Sequence, residues 1–380
     1  MTEEAAMKQM LKTRGRDWLL VVAFSLGLHY LVMALHLLVQ SGSFSFEQLG
    51  GLISDRLMQP GDATRYIDVA QHGYVTQGEN MINLVFYPLY PLLMRWLGWL
   101  TFSLPLAGVI ISHIGYSVAS ILLYELILLD GERRNAWDGV TLLALYPFSL
   151  FALGVFTEGI FLALSIGCLY ALRKRNFPAA GIIGFLAALT RTQGMLLFFP
   201  AMYELVTHRF GPRKEKLRWQ DAFLLLIPAG FGVYLGINAA LWGNCFQFLK
   251  FEAGEPWYQS TQWIGENIAQ HYSLAQNYPG LAWFIYYLQI ALYFAVLGVL
   301  FLGAYKKERM AYLLYGGVYL GFSYLSGWMI SGGRYMLCCI PVYIILSKLK
   351  DGFIRRFLLL AAGMLFTLYS FLYLRGYAIM

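Results

Sequence analysis

The stretch FYPLYPLLMRWLGWL, residues 86–100, is apolar enough to read as a membrane span, and the topology of the whole chain turns on whether it is one. It carries Pro88, Pro91, Arg95 and two tryptophans, Trp96 and Trp99. Trp and Tyr favour the headgroup level, and a helix with this make-up lies in the interface. Charge on either side of the stretch supports that reading. With 86–100 not crossing, the basic residues of the N-terminus (Lys8, Lys12, Arg14, Arg16) fall on one side. So do those of 132–134, 173–175, 209–218, 306–309 and 348–356. Only seven of the 28 Lys and Arg fall on the other: Arg56, Arg65, Arg95, Arg191, Lys250, Arg334 and Arg375. Cytoplasmic loops retain Lys and Arg, so the richer side is cytoplasmic and 86–100 lies outside. A crossing at 86–100 would invert every later loop.

The composition agrees. Of 380 residues, 59% are hydrophobic and 13% charged, and the mean hydropathy is +0.56. A soluble domain has about a quarter of its residues charged, so a globule of this size would lack polar surface. About 20 apolar residues span the hydrocarbon core. Apolar segments occur at 18–39, 105–129, 138–155, 156–172, 177–190, 194–207, 221–242, 281–304, 311–329, 336–349 and 357–374. The expected fold is an all-α polytopic membrane protein of about 11 transmembrane helices, one integral membrane domain over residues 1–380. The first run is longer than the apolar core of a secretory signal and lacks a convincing cleavage site, so it reads as a retained helix with its N-terminus cytoplasmic. The net charge of +7 follows from the basic loops and does not call for nucleic acid. The four cysteines (Cys168, Cys245, Cys338, Cys339) show no CxxC pair and read as small apolar residues.

Two external loops stand out, 40–104 and 243–280. They are rich in Trp, Tyr, Gly and acidic residues, so order and function are expected there. In the first, Pro60-Gly61 breaks the chain before an amphipathic helix. Ala63, Tyr66, Ile67 and Ala70 share one face, and Asp62, Arg65, Asp68 and His72 form a polar stripe. Gly73 ends the helix. Asp62 is either the cap of that helix or a working carboxylate. Glu158, Arg191 and Arg334 interrupt apolar surroundings, where ionisable groups are costly and mark function. Arginine's planar fork suits a phosphate; the other reading has both arginines reaching up to headgroups. Glu125 reads as a helix-to-helix hydrogen-bonding group. There is no GxxxxGK[ST], HExxH or GxSxG, and no cytoplasmic loop long enough to enclose a nucleotide. No motif calls for a cofactor or bound metal; a divalent ion is compatible with the chemistry, and nothing indicates one.

Five blocks in order resemble the PIG-V-type mannosyltransferase family, the second GPI mannosyltransferase and its prokaryotic relatives. Asp62, Gly73-Tyr74 and Tyr87-Pro88-Leu89-Tyr90-Pro91 resemble its first luminal loop. Phe156-Thr157-Glu158-Gly159-Ile160-Phe161 is similar to its Tyr-Thr-Glu-Ser-Leu-Phe, and Leu189-Thr190-Arg191-Thr192-Gln193-Gly194 to its Leu-Thr-Arg-x-x-Gly. Residues 242–249 resemble its Gly-Asp-Pro block, and Gly333-Arg334-Tyr335 its late Arg-Tyr. Gly61 stands where the family has Trp, and Asn244-Cys245 where it has Asp-Pro.

The resemblance implies a GT-C-type glycosyltransferase fold, with interfacial helices in a long first external loop and a polyprenyl-phosphate sugar as donor. The expected function is inverting transfer of a sugar, foremost mannose, to an acceptor hydroxyl of a glycan or glycolipid at the outer membrane face, the cell inner membrane in a bacterium. Asp62 is the expected general base. Arg191 and Arg334 stabilise the leaving phosphate, Arg65 and Asp68 orient the base or the sugar, and Glu158, Gln193 and Tyr335 complete the substrate-binding set. Trp257 and Trp263 are candidates to stack on the acceptor. The rival is a transporter or flippase of a lipid-linked glycan. Such proteins tend to carry inverted repeats and mid-membrane charges; this chain shows no repeat, and its charges gather toward one face.

Overall fold

A computed structural model describes residues 3–59, 61–211, 215–280, 282–325, 327 and 331–377. Pro60 of the expected Pro-Gly break, Arg213 and Lys214 of one basic loop, and part of the apolar segment 311–329 lie outside the described residues. The order is α1 Glu3–Ser41, α2 Phe46–Ile53, α3 Asp62–His72, α4 Leu89–Thr101, α5 Leu104–Leu128, α6 Arg133–Ala144, α7 Glu158–Arg173 and α8 Phe177–Ala188. It continues with α9 Phe198–Phe210, α10 Leu226–Trp242, α11 Gln247–Ala253, α12 Ile264–Asn277, α13 Leu288–Tyr305, α14 Met310–Tyr324, α15 Gly332–Met336, α16 Ile340–Ser347 and α17 Phe353–Leu374. No β-strand forms among the described residues.

Five stretches are long and apolar enough to cross a membrane: Arg14–Ser41, Leu104–Leu128, Trp219–Trp242, Ile285–Tyr305 and Phe353–Leu374. Several segments expected as single helices are not continuous α-helix. Residues 138–155 stop being α-helical after Ala144, because Pro147 lacks an N–H and disfavours a helical residue before it; a 3₁₀ turn at Ser149–Ala152 follows. Segment 194–207 opens as a 3₁₀ turn, Thr192–Leu197, before α9. Segment 336–349 breaks between α15 and α16, and Pro341 sits in the first turn of α16, where its missing N–H costs nothing.

The stretch that opened the reading, 86–100, forms α4 of 13 residues. At about 1.5 Å per residue it covers about 20 Å, short of a hydrocarbon core of about 30 Å. Tyr90, Pro91 and Met94 are buried while Trp96, Trp99 and Leu100 are exposed. The loop 40–104 is filled by α2, α3 and α4, with a 3₁₀ turn at Glu79–Val85.

The centre of the molecule is the crossing of α5 and α7. A Cβ on Gly115 would lie 2.7 Å from the Gly159 carbonyl carbon, and one on Gly159 would lie 2.6 Å from the Ser112 oxygen. Only glycine permits this approach, and it fixes the start of α7 against α5. Around it Tyr116, Leu123, Phe161, Ile166, Tyr315 and Tyr343 form one continuous buried core. Glu125 on α5 accepts from Trp18 Nε1 of α1 at 2.8 Å, a helix-to-helix bond of the kind its position suggested.

Candidate functional site

Four charged side chains, up to 272 residues apart, meet at one end of this core. Glu158 is the first residue of α7, where a carboxylate also suits the positive end of the helix. Its side chain is fully buried. Arg191 follows α8 in extended conformation, and its Nη1 donates to Glu158 Oε1 at 2.8 Å. Arg334 sits in the short helix α15 and donates through Nε to the same oxygen. Its Nη1 donates to Asp62 Oδ2 at 2.8 Å. The result is a chain, Asp62–Arg334–Glu158–Arg191, whose ends differ. Glu158 is 0% exposed, Arg334 5% and Arg191 9%, but Asp62 is 29% exposed. The carboxylate that meets solvent is the one at the start of α3.

Aromatic rings fix the two arginines from the sides. Arg334 lies over Phe156 and Phe151, at 4.6 and 5.4 Å from the ring centroids. Arg191 lies over Tyr335 and Phe161, at 5.0 and 5.8 Å. Gly333 allows this packing, since a Cβ there would lie 2.4 Å from the Phe148 ring. Reaching up to headgroups is not what either arginine does: both are buried and paired.

Nor does Asp62 cap its helix. The N-cap is Gly61, no side chain caps α3, and the Asp62 carboxylate turns to Arg334 instead. The buried face of α3 is Ala63, Tyr66, Val69 and Ala70. Ile67, expected on that face, is only half-buried, and Val69 joins it instead. Arg65 and Asp68 belong to a different cluster. Asp68 accepts from Asn83 Nδ2 at 2.7 Å, from Asn80 Nδ2 at 3.0 Å, and pairs with His72 at 2.9 Å. Arg65 Nη1 donates to Asn83 Oδ1 at 3.3 Å. Among the described residues neither bonds to Asp62. Their cluster borders an open polar pocket of about 450 Å³ lined by Asp68, His72, Glu79 and Asn80.

Gln193 is buried in the 3₁₀ turn that follows Arg191, and Tyr335 reaches the site through its ring beneath that arginine. Trp257 packs edge-on against Phe86, which packs on Tyr66 of α3; Trp263 is 71% exposed.

The Tyr87-Pro88-Leu89-Tyr90 block is a fastening. Tyr87 stacks on Tyr234 of α10 at 4.0 Å, its hydroxyl lies 2.8 Å from Thr192 Oγ1, and Leu89 N donates to Leu189 O at 3.0 Å. It clamps the segment carrying Arg191. The sequence showed the block without its role, because its partners lie 100 residues or more away. Glu252 on α11 went unnoticed in the sequence: it is partly buried and forms no ion pair among the described residues, and burial pushes its carboxyl up to about 7. Among the described residues no three His, Cys, Asp or Glu side chains gather as a metal-binding set.

No family model and no curated protein matches this chain.

Proposed function

We propose that this chain is a glycosyltransferase of the GT-C type, with about eleven membrane-embedded helical segments and the Asp62 face outside. It moves a sugar, foremost mannose, from a polyprenyl phosphate to an acceptor hydroxyl, with inversion. The observation that carries the reading is the buried ion chain that ends in one solvent-reaching carboxylate. A merely structural cluster has no need to present an acid at its open end, and ionisable groups among apolar helices mark function by default.

In the proposed reaction Asp62 takes the proton from the acceptor oxygen as that oxygen attacks the anomeric carbon. The bond from that carbon to the phosphate oxygen breaks, and the polyprenyl phosphate leaves as an anion. Arg334 engages Oδ2 of Asp62, and Oδ1, which makes no hydrogen bond among the described residues, is left to meet the acceptor. Arg334 and Arg191 supply fixed positive charge toward which the leaving phosphate develops its own. Glu158 holds both in register and keeps the site near neutrality. Arg65 and Asp68 fit a role in sugar or acceptor binding at the polar pocket that Asp68 lines, rather than a direct role on the base.

The test is incubation of the purified protein with polyprenyl-phosphate mannose and a native lipid extract. A mannosylated product that vanishes with Asp62→Asn supports the reading. Movement of a lipid-linked glycan across vesicles without any transfer establishes the transporter instead.

A further inference from the structure

The polar pocket of about 450 Å³ along α3 is built by a chain that turns back on the helix. Two glycines make the return. Gly73 and Gly78 both take a φ of +78°, in the left-handed region that favours glycine. The turn Glu79–Val85 then packs beside α3 and brings Asn80 and Asn83 against Asp68. The surroundings hold this frame fixed. Arg95 of α4 donates Nε to the Ala70 carbonyl at 2.6 Å and Nη2 to that of Gln71 at 3.3 Å, which secures the end of α3. The Tyr74 hydroxyl donates to the Phe86 carbonyl at 2.6 Å, and that of Tyr234 on α10 to the Leu84 carbonyl at 2.7 Å.

Inside the frame the hydrogen bonds form one lattice. Arg65 donates to Asn83, Asn83 donates to Asp68 Oδ2, and Asn80 donates to Asp68 Oδ1, which also faces His72 Nδ1. Both Asp68 oxygens are engaged, so neither is left to ligate a metal. No lysine or arginine lines the pocket to take a phosphate. Asn80 Oδ1 and His72 Nε2 remain open, as do the exposed side chains of Gln77 and Glu79, which have no side-chain partner among the described residues. Such a mixed set of acceptors and neutral donors suits hydroxyl groups, which both donate and accept.

Distance from Asp62 decides whose hydroxyls these are. Asp62, Asp68 and His72 share the polar stripe of α3, with Asp68 six residues and His72 ten residues beyond Asp62. At about 1.5 Å per residue the pocket lies about 9 to about 15 Å along the helix from the proposed base. The donor sugar is bonded to its phosphate and stays with the arginines. The ring that offers its hydroxyl to Asp62 does not span that distance.

We infer that the pocket is a distal acceptor subsite, holding by its hydroxyl groups a sugar ring other than the one that reacts. The acceptor is then an oligosaccharide rather than a single sugar or a bare lipid alcohol. The inference deepens the transferase reading and rests on it for its purpose. The rigid lattice supports it, since a site ordered in advance loses little freedom on binding.

The test has two readouts. Purified protein in detergent is mixed with mannotriose, chitotriose and isomaltotriose, and separately with their monosaccharides, and binding is followed by saturation-transfer NMR. The wild type is expected to bind at least one trisaccharide and to bind its monosaccharide more weakly. His72→Ala combined with Asn80→Ala changes two exposed side chains at the rim. It should weaken that binding roughly ten- to hundredfold, as losing two hydrogen bonds does. In transfer with the native lipid extract, the same variant should raise KM for the acceptor by that factor, with kcat and donor binding unchanged. A fall in kcat with KM unchanged assigns the two residues a structural role and overturns the subsite. So does failure of every trisaccharide to bind, or equal binding by the double variant. Trisaccharide binding without any transfer removes the enzyme reading and leaves a sugar site; transfer with KM unaltered in the double variant does the reverse.

Discussion

Ion pairs occur at both ends of this molecule, and they are built differently. At the end that carries most of the basic loops, three of them are closed clasps. Arg209 grips Asp221 with Nε and Nη2 at 2.8 and 2.7 Å. Arg355 grips Asp138 in the same two-pronged way, at 2.7 and 2.5 Å. Arg133 pairs with Asp17 at 2.6 Å, a carboxylate that also takes the Tyr124 hydroxyl. In each, both carboxylate oxygens are engaged and two elements are tied together. At the Asp62 end the pattern is open. Two arginines share one oxygen of Glu158, while its other oxygen is buried with no hydrogen-bond partner among the described residues. The chain then ends at a carboxylate that reaches solvent. Clasps hold helices together; the open chain leaves charge available to something that arrives.

The sharpest way to break this contrast is Asp62→Asn. Asn is nearly the same size and still accepts a bond from Arg334, so the fold should survive. It cannot take a proton. A positioned general base contributes about 10²–10⁴-fold, so turnover at saturating donor and acceptor should fall by that factor with donor binding retained. Near-normal turnover would make the open end a structural accident.

Glu158→Gln tests the hub. It keeps the shape and leaves two buried arginines without their shared charge. Removing one partner of a buried pair costs about 3–5 kcal/mol, so the melting temperature in detergent should drop well below the wild type. A loss no larger than that from opening a clasp at the other end would mean the hub is only another clasp.

Much of this end was readable in advance because charge is conspicuous among apolar residues. Glu158, Arg191 and Arg334 each interrupt a hydrophobic surrounding, and Asp62 opens a polar stripe with helical spacing. Their meeting was not readable. That depends on the Gly115–Gly159 crossing and on Gly333 closing onto Phe148, which no local pattern announces. Arg65 and Asp68 were grouped with Asp62 because they share its stripe. A turn of helix carries them to Asn83 and Asn80, on a segment whose course the sequence did not show. Two of the expected helical segments break at Pro147 and before Pro341, since apolar content reports burial and not backbone continuity.

Glu252 offers a milder test, because it is a partly buried carboxyl with neither clasp nor chain. Burial holds its folded pKa near 7, above the ordinary value of 4.5. A raised carboxyl is neutral in the folded protein at low pH, so its stabilising effect is full below about pH 4.5 and is lost as pH rises through 7. The wild type should therefore lose on the order of 2 kcal/mol across that window. Glu252→Gln, which cannot ionise, should lose markedly less. Parallel pH profiles of melting temperature would show that the carboxyl is not held protonated.

The smallest effect is expected where the contrast predicts no consequence for function. Arg355→Gln opens the clasp to Asp138 that joins α17 to α6. The arginine is 20% exposed and the aspartate 10%, so the pair lies between the surface regime, worth under about 1 kcal/mol, and the buried one. Water can reach Asp138 once the clasp opens, and Gln can still donate one hydrogen bond to it. The expected cost is about 1 kcal/mol, seen as a small drop in melting temperature. Turnover should be unchanged, because nothing in the clasp touches the Asp62 chain. A large fall in transfer with intact stability would show that charge at this end reaches the other, and the division between clasps and open chain would have to be redrawn as one coupled network.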